Sequence, residues 1–308
     1  MLSSNIGKID LSCCIMNASG VHCITKDNLD DLNDSISGAI VTKSTTLEPR
    51  DGNPKPRYYD NNVLSINSSG LPNLGYKFYI DVSNMIDKKK PYIVSVSGMS
   101  EEDNINIIKE INECTKIDGI ELNLSCPNII GKPQIGYDFE AMDRLLNNVN
   151  SIIHPRLNFG IKLPPYFDIC HFEMAANIIN KYNIDTITCI NSLGNGLVID
   201  PLNEQVVIAP KNGHGGIGGY VVKSIALSNV RKFYELTNCK VIGCGGIRNG
   251  VDAFEHILCG ASTIQIGTQL YKESIPCFKR IIDELLDIMN KKGYNKLDDF
   301  RGKLKYIV

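Results

Sequence analysis

Eight short, almost uninterrupted apolar runs recur along this chain, and a stretch with helical periodicity follows each of them. The runs are Cys14–Ala18, Ala39–Lys43, Tyr92–Val96, Gly119–Asn123, Phe159–Leu163, Thr186–Asn191, Val241–Gly245 and Thr263–Gly267. Continuous rather than alternating apolar character marks strands covered on both faces, as parallel strands are. Helix starts are legible between them: Ser100 before Glu101, Glu102 and Asp103; Asp138 before Phe139–Val149; Asp168 before Phe172–Tyr182. The last helix repeats Phe278, Ile281, Ile282, Leu285, Leu286 and Met289 at i, i+3, i+4 spacing, and Gly293 follows as its stop. Eight strand-then-helix units predict an α/β fold, a (β/α)8 TIM barrel with elaborated loops over its C-terminal face, as one domain over residues 1–308. The alternative, an open doubly wound sheet, normally has fewer strands and a G-x-G-x-x-G turn after an early one, which is missing here.

Composition narrows the function classes. The 32 Lys+Arg against 34 Asp+Glu, a net charge of -2, leave no basic excess for neutralising a nucleic-acid backbone, so no nucleic-acid partner is expected. No apolar run approaches the ~20 residues of a membrane span, and Met1–Asp10 lacks the basic start and apolar core of a leader. A cytoplasmic protein without membrane attachment is expected. The 11 cysteines include no C-x-x-C pair and sit mostly in apolar runs, so they read as reduced thiols with no metal site.

In such barrels the chemistry gathers at the C-terminal strand ends. Those ends supply Ala18–Ser19–Gly20, Lys43–Ser44, Asn123–Leu124–Ser125–Cys126, Lys162, Asn191–Ser192, Gly245–Gly246 and Gly267–Thr268. Two lysines and several amides and hydroxyls converge there without a carboxylate, which suits an anionic or carbonyl-rich ligand. A lysine ending an apolar strand is costly unless paired, although either one alone could simply snorkel. Gly245–Gly246 and Gly267–Thr268 follow the seventh and eighth strands, where barrels commonly hold a phosphate on backbone N–H groups. The glycine-rich Gly213–Gly219 is expected to reach the same phosphate as a flexible loop. Flavin mononucleotide and pyridoxal phosphate both fit these features.

Two connections, Ser44–Lys90 and Ser192–Ser224, are too long for turns and should carry lids or binding loops; within the second, Asp200–Glu204 reads as the tip of a hairpin. The turn-rich segment Asn123–Gln134 should cross the pocket with Cys126 in it, and Asn67–Asn73 offers amides and backbone N–H groups to a carboxylate. A single cysteine is by default a small apolar residue, but beside lysines its thiolate would be favoured and usable as a base. Among the histidines only His214 falls in a pocket-side loop.

Taken together, the motifs ASG at Ala18–Gly20, TKS at Thr42–Ser44, EPRDGNPKPR at Glu48–Arg57, NSSGLPN, NLSCPN with GKPQ, KLPPYFD at Lys162–Asp168, INS at Ile190–Ser192, CGGI at Cys244–Ile247 and IGT at Ile266–Thr268 resemble the dihydroorotate dehydrogenases over nearly the whole chain. The resemblance is to the soluble class 1A branch, FMN-binding barrels that oxidise (S)-dihydroorotate to orotate in pyrimidine biosynthesis. It implies FMN contacts from Ala18, Ser19, Gly20, Lys43, Ser44, Asn123, Lys162, Ile190, Gly219, Gly245, Gly246, Gly267 and Thr268. It implies substrate contacts from Lys43, Asn67, Ser69, Gly70, Leu71, Asn123, Asn128, Asn191 and Ser192, with Cys126 as the base at C5 and Lys43 beside both flavin and substrate. Ser69 departs from the family pattern, where Met is expected.

Class 1A membership further implies fumarate, reduced to succinate, as electron acceptor and a homodimer as the assembly. The class 2 enzymes differ in an N-terminal hydrophobic extension and a serine base. A class 1B-type catalytic subunit, passing electrons to NAD through a partner subunit, is the alternative. A flavin-binding protein without this turnover, and a Schiff-base lyase using Lys162, are the readings from other classes.

Overall fold

The computed structural model describes residues 1–125 and 134–307. Eight strands, Ile15–Asn17, Ile40–Val41, Tyr92–Val96, Gly119–Asn123, Asn158–Leu163, Thr186–Cys189, Lys240–Cys244 and Ala261–Ile266, form one sheet. Each overlaps one of the eight apolar runs. Every ladder is parallel, and the order runs first, eighth, seventh, sixth, fifth, fourth, third, second. The first and second strands, at the two ends of that order, face each other across the remaining gap, where the buried Asn17 amide donates to the Val41 carbonyl at 2.7 Å and accepts from the Val41 N–H at 2.9 Å. A side chain thus supplies the backbone pairing that the ladder lacks there, and the sheet is a (β/α)8 barrel.

The helices follow their strands in sequence. Those at Glu101–Glu113, Phe139–Ile152 and Ile169–Ile179 begin at the expected caps, with Ser100, Asp138 and Asp168 side chains accepting from the N–H groups of Asp103, Ala141 and Cys170. The last, Pro276–Lys292, stops at Gly293, whose φ of 72° is the left-handed conformation glycine takes without a Cβ clash. Their apolar stripes pack on the sheet in one extended core.

A two-stranded hairpin, Ser4–Ile6 with Ile9–Leu11, covers the N-terminal end of the barrel. Its Gly7 lies against Asn158 and Asp185, and Ile9 lies against Gly119, all at or just before strand starts. Ile6, Ile9 and Leu11 join Met16, Ala39, Val41, Ile93 and Ile242 in a separate apolar cluster. That end is filled with hydrocarbon, so the opposite end is left for a site.

The two long connections meet over that opposite end. Leu193–Leu197, His214–Gly218, Ser65–Asn67 and Tyr58–Asp60 make a four-stranded antiparallel sheet in this order. The glycine-rich segment is therefore not a flexible loop: His214–Gly218 is a strand, paired with Ser65–Asn67 on one side and Leu193–Leu197 on the other. Ladder pairing fixes its backbone, and glycine lets neighbours close in, since a Cβ on Gly216 would meet the Ser192 hydroxyl at 2.2 Å. The expected hairpin exists as Ile199–Asp200 paired with Gln205–Val206. The first connection also holds a helix, Tyr76–Met85, that starts at Gly75 without a side-chain cap and so gave no start signal. Among the described residues, no helix is long and apolar enough to cross a membrane.

Candidate active site

The strand ends and the covering sheet enclose a cavity of ≈ 1390 Å³. Single-ligand pockets usually run ~300–1,000 Å³, so this one has room for a cofactor with a second ligand against it. The residues named above as cofactor contacts all line it, as do Asn67, Ser69, Gly70, Leu71, Asn191 and Ser192. Cys126 and Asn128 lie outside the described residues.

Charge is distributed unevenly on this wall. Lys43, Arg50, Lys55, Arg57, Lys162, Lys211, Arg248 and Lys272 line the cavity, and no Asp or Glu does among the described residues. In a chain with slightly more acids than bases this is a local sorting of charge, and it focuses a positive potential into a walled space. Arg248 stacks its guanidinium 3.5 Å from the centre of the Tyr220 ring, which fixes it beside the glycine turn.

The turn after the seventh strand is built to bring backbone close. Gly245 and Gly246 have φ of 127° and 74°, and a Cβ on Gly246 would lie 2.5 Å from the Cβ of Lys223. Only glycine fits. Buried His256 donates through Nε2 to the Gly245 carbonyl at 3.0 Å, and burial pushes its pKa down to about 4. The ring is therefore neutral at pH 7, and Nε2 must be its protonated nitrogen, donating to Gly245. Beside this turn, after the adjacent eighth strand, Ser65 and Thr268 share a hydroxyl hydrogen bond of 2.9 Å next to Gly267. Two glycine turns, hydroxyls and an arginine together present donors and positive charge of the kind that suits an anion.

The middle of the cavity is a ring of amides and hydroxyls. Asn191 Nδ2 donates to Asn123 Oδ1 at 3.2 Å, and the same oxygen accepts from the Ser125 N–H at 3.0 Å. Asn191 Oδ1 accepts from the Ser192 N–H at 2.8 Å. These bonds fix which way each amide points, leaving Asn123 Nδ2 within 3.5 Å of Ser97 Oγ. On the facing sheet Asn67 Nδ2 donates to the Gly216 carbonyl at 3.3 Å, and Ser69 Oγ donates to Asn67 Oδ1 at 3.4 Å. Gly70 and Leu71 turn the chain there with φ of 71° and 56°. Ser44 Oγ, bonded to Ser95 Oγ at 2.9 Å, completes the wall beside Ser19.

Both strand-end lysines are nearly inaccessible, Lys43 at 7% and Lys162 at 4% exposure. Lys162 Nζ donates to Gln265 Oε1 at 3.0 Å, Gln265 Nε2 donates to Glu121 Oε2 at 2.6 Å, and Thr188 Oγ1 donates to the same oxygen at 2.8 Å. Sequence reasoning missed Glu121, Thr188 and Gln265. A glutamate inside the apolar run Gly119–Asn123 was the signal that could have found them, since an inward carboxylate needs a cationic or donor partner.

A family model described as dihydroorotate dehydrogenase matches residues 1–289. A relative from Streptococcus equi, named putative dihydroorotate dehydrogenase A (fumarate), is 54% identical over 95% of this chain and 94% of its own. Another from Lactococcus lactis, named dihydroorotate dehydrogenase A (fumarate), is 50% identical over 99% of both. Among solved structures, an Eimeria tenella dihydroorotate dehydrogenase in complex with ferulenol superposes with a TM-score of 0.80 at 21% identity, covering 98% of this chain and 88% of that one, a likeness of fold. With the family model spanning most of the chain and relatives above half identity along nearly all of it, the chain belongs to the dihydroorotate dehydrogenase family, in its class 1A branch.

Proposed function

We propose that this protein oxidises (S)-dihydroorotate to orotate with FMN as its bound cofactor and fumarate as the electron acceptor, a step of pyrimidine biosynthesis. The observation that carries this reading is the cavity wall with eight cationic side chains and no carboxylate among the described residues. A phosphate at one end and carboxylate ligands at the other meet complementary charge throughout. When bound, FMN supplies the hydride-accepting centre.

The chain's own residues then divide the work. Gly245, Gly246, Gly267 and Thr268 hold the phosphate; Ala18, Ser19, Gly20, Ser44 and Ile190 flank the ring system; Lys43 and Lys162 offer ammonium donors to it; and Gly219 lets the covering sheet approach. Asn67, Asn123, Asn128, Asn191 and Ser192, with the backbone at Ser69–Leu71, bind the carboxylate and ring amides of the substrate. Cys126 takes the C5 proton. Because the amides of Asn123 and Asn191 are already oriented by their mutual hydrogen bond, little ordering remains when substrate arrives. Fumarate, a planar dicarboxylate, fits the subsite that orotate leaves, which makes the kinetics ping-pong.

The assembly is a homodimer in this reading. Phe167, Ile169, Leu197, Ile199, Leu202 and Val206 are exposed apolar side chains on segments that follow the adjacent fifth and sixth strands, a concentration expected of a covered face. The deciding assay measures orotate formation with fumarate, NAD and a quinone side by side, together with the flavin released on denaturation. Turnover with fumarate and release of FMN are expected. A protein inert to fumarate but active with NAD belongs with the class 1B type, and a preparation that cannot be loaded with FMN removes the cofactor assignment.

A further inference from the structure

Inside the barrel, below the cavity floor, three strands contribute to one polar chain that the proposed reaction does not use. Glu121 comes from the fourth strand, Thr188 from the sixth and Gln265 from the eighth, and all three are at most 4% exposed. A buried carboxylate is retained only where something compensates its desolvation. Here both hydrogen bonds that Glu121 receives arrive at Oε2, from neutral donors, while Oε1 meets no protein donor among the described residues. Two neutral hydrogen bonds are poor compensation for a charge in this setting. The compensating cation is one amide away: Gln265 presents its oxygen to the Lys162 ammonium and its nitrogen to Glu121, so its dipole lies aligned between the two charges.

The surroundings of Lys162 leave Glu121 as the operative counter-charge. Burial drives the lysine pKa down, but Cys244, Glu121 and Cys23 pull it up and the net shift is upward. Burial pushes the Cys23 thiol up to about 12 and the Cys244 thiol up as well, so both are neutral at physiological pH. Of the three groups, the carboxylate is the one tied to the Lys162 ammonium by hydrogen bonds, through the two ends of the Gln265 amide.

We propose that Glu121 is a positioning residue which, acting through the Gln265 amide, holds Lys162 as a fixed ammonium at the cavity floor and thereby sets the positive charge that meets the bound cofactor. Its second half rests on the flavin reading; the first half does not. Glu121 itself never reaches the cavity, since Gln265 and Lys162 line the wall and Glu121 does not.

The test compares the wild-type protein, as purified, with Glu121→Gln, which keeps an acceptor for Thr188 and Gln265 but removes the charge. Without its counter-ion the buried lysine titrates below its unfolded value, so the unfolded chain binds the extra proton and stability is lost as pH falls. The melting-temperature gap between wild type and Glu121→Gln is expected to widen severalfold from about pH 10 to about pH 7. In the flavin-loaded protein the midpoint potential of the variant, plotted against pH, is expected to gain a change of slope in that range that the wild type lacks. The double variant Glu121→Gln, Gln265→Glu returns a carboxylate directly beside Lys162 and should restore both behaviours, which a lost packing or hydrogen-bonding role would not allow. If Glu121→Gln does not fold, Glu121→Gln with Lys162→Met must, because it deletes the stranded cation as well. A gap that does not change with pH, failure of the carboxylate swap to restore it, or failure of both neutralised variants to fold overturns the proposal. A pH-dependent gap in a protein that binds no FMN keeps the ion relay and removes only its role toward the cofactor.

Discussion

Gly136 donates its backbone N–H to the Leu124 carbonyl at 2.8 Å, so the chain leaves the fourth barrel strand and returns to it at the same point. The returning side is locked further. The Tyr166 hydroxyl donates to the Gly136 carbonyl, and the Tyr166 backbone is bracketed by Asn229, which accepts from its N–H at 2.8 Å and donates to its carbonyl at 3.0 Å. Leu124 and Gly136 are therefore held together, and Gly136 is tied to the fifth strand's loop and through it to helix Lys223–Leu236.

Cys126→Ala is expected to keep bound FMN and bind orotate while reducing its flavin with dihydroorotate ~10²–10⁴-fold more slowly, the usual cost of a general base. Cys126→Ser should keep some activity that rises with pH, because a hydroxyl is a much weaker acid than a thiol. Stopped-flow flavin absorbance isolates this half-reaction; a rate within a few-fold of wild type for the alanine variant would place the base elsewhere.

The glycine turn makes a separate prediction. Gly246→Ala must relieve both a φ of 74° and a contact of 2.5 Å to Lys223 Cβ. FMN affinity measured by fluorescence quenching is expected to fall at least about tenfold, corresponding to ~1.4 kcal/mol. The same substitution at Gly20, where nothing lies within 4 Å of the added Cβ, should leave the melting temperature unchanged and is a control for folding alone, since Gly20 also lines the cavity.

Acid should unfold the protein through His256. Its folded pKa of about 4 lies below the ordinary 6.5, so between those values the unfolded chain binds more protons and stability falls as pH falls. The full loss below about pH 4 amounts to roughly 3 kcal/mol at ~1.4 kcal/mol per unit. Denaturant titrations from pH 7 to about pH 4 should show this slope in the wild type and a shallower one in His256→Gln.

These cases also show what was readable beforehand. The strands were legible because both faces are covered, so their residues are mostly apolar, and the caps at Ser100, Asp138 and Asp168 were legible because a side chain does the capping. Helix Tyr76–Met85 was not, since its start depends on the φ of Gly75 rather than on a capping side chain. His214–Gly218 is illegible as a strand because its identity comes from pairing with Leu193–Leu197 and with Ser65–Asn67, the latter over a hundred residues away, while three of its five residues are glycine. Lys162 was found at a strand end, but Glu121 and Gln265 lie beneath it on strands four and eight, and only closure of the barrel makes them neighbours.

Interface burial carries a prediction as well. Phe167→Asp with Leu202→Asp places charge on two of the most exposed apolar side chains, 65% and 92% accessible. Sedimentation should change from dimer to monomer with the flavin retained; a wild-type monomer at micromolar concentration would remove the dimer.

The Asn17 seam has a thermodynamic consequence. Seven junctions of the barrel are ladders, whereas the eighth depends on one amide, assisted by the Gly38 N–H to the Ile15 carbonyl and the Ser44 N–H to the Ser19 carbonyl. Ala18, Ser19 and Gly20 stand on one side of this weakest junction and Lys43 and Ser44 on the other. A ligand that touches both sides works as a rivet: it can bind only when the two edges are in register, and by mass action it holds them there, by about 2.7 kcal/mol at a hundred times its dissociation constant. Occupancy and closure of the ring are in this way one equilibrium, and a chain with a damaged Asn17 would lean on its cofactor to stay round.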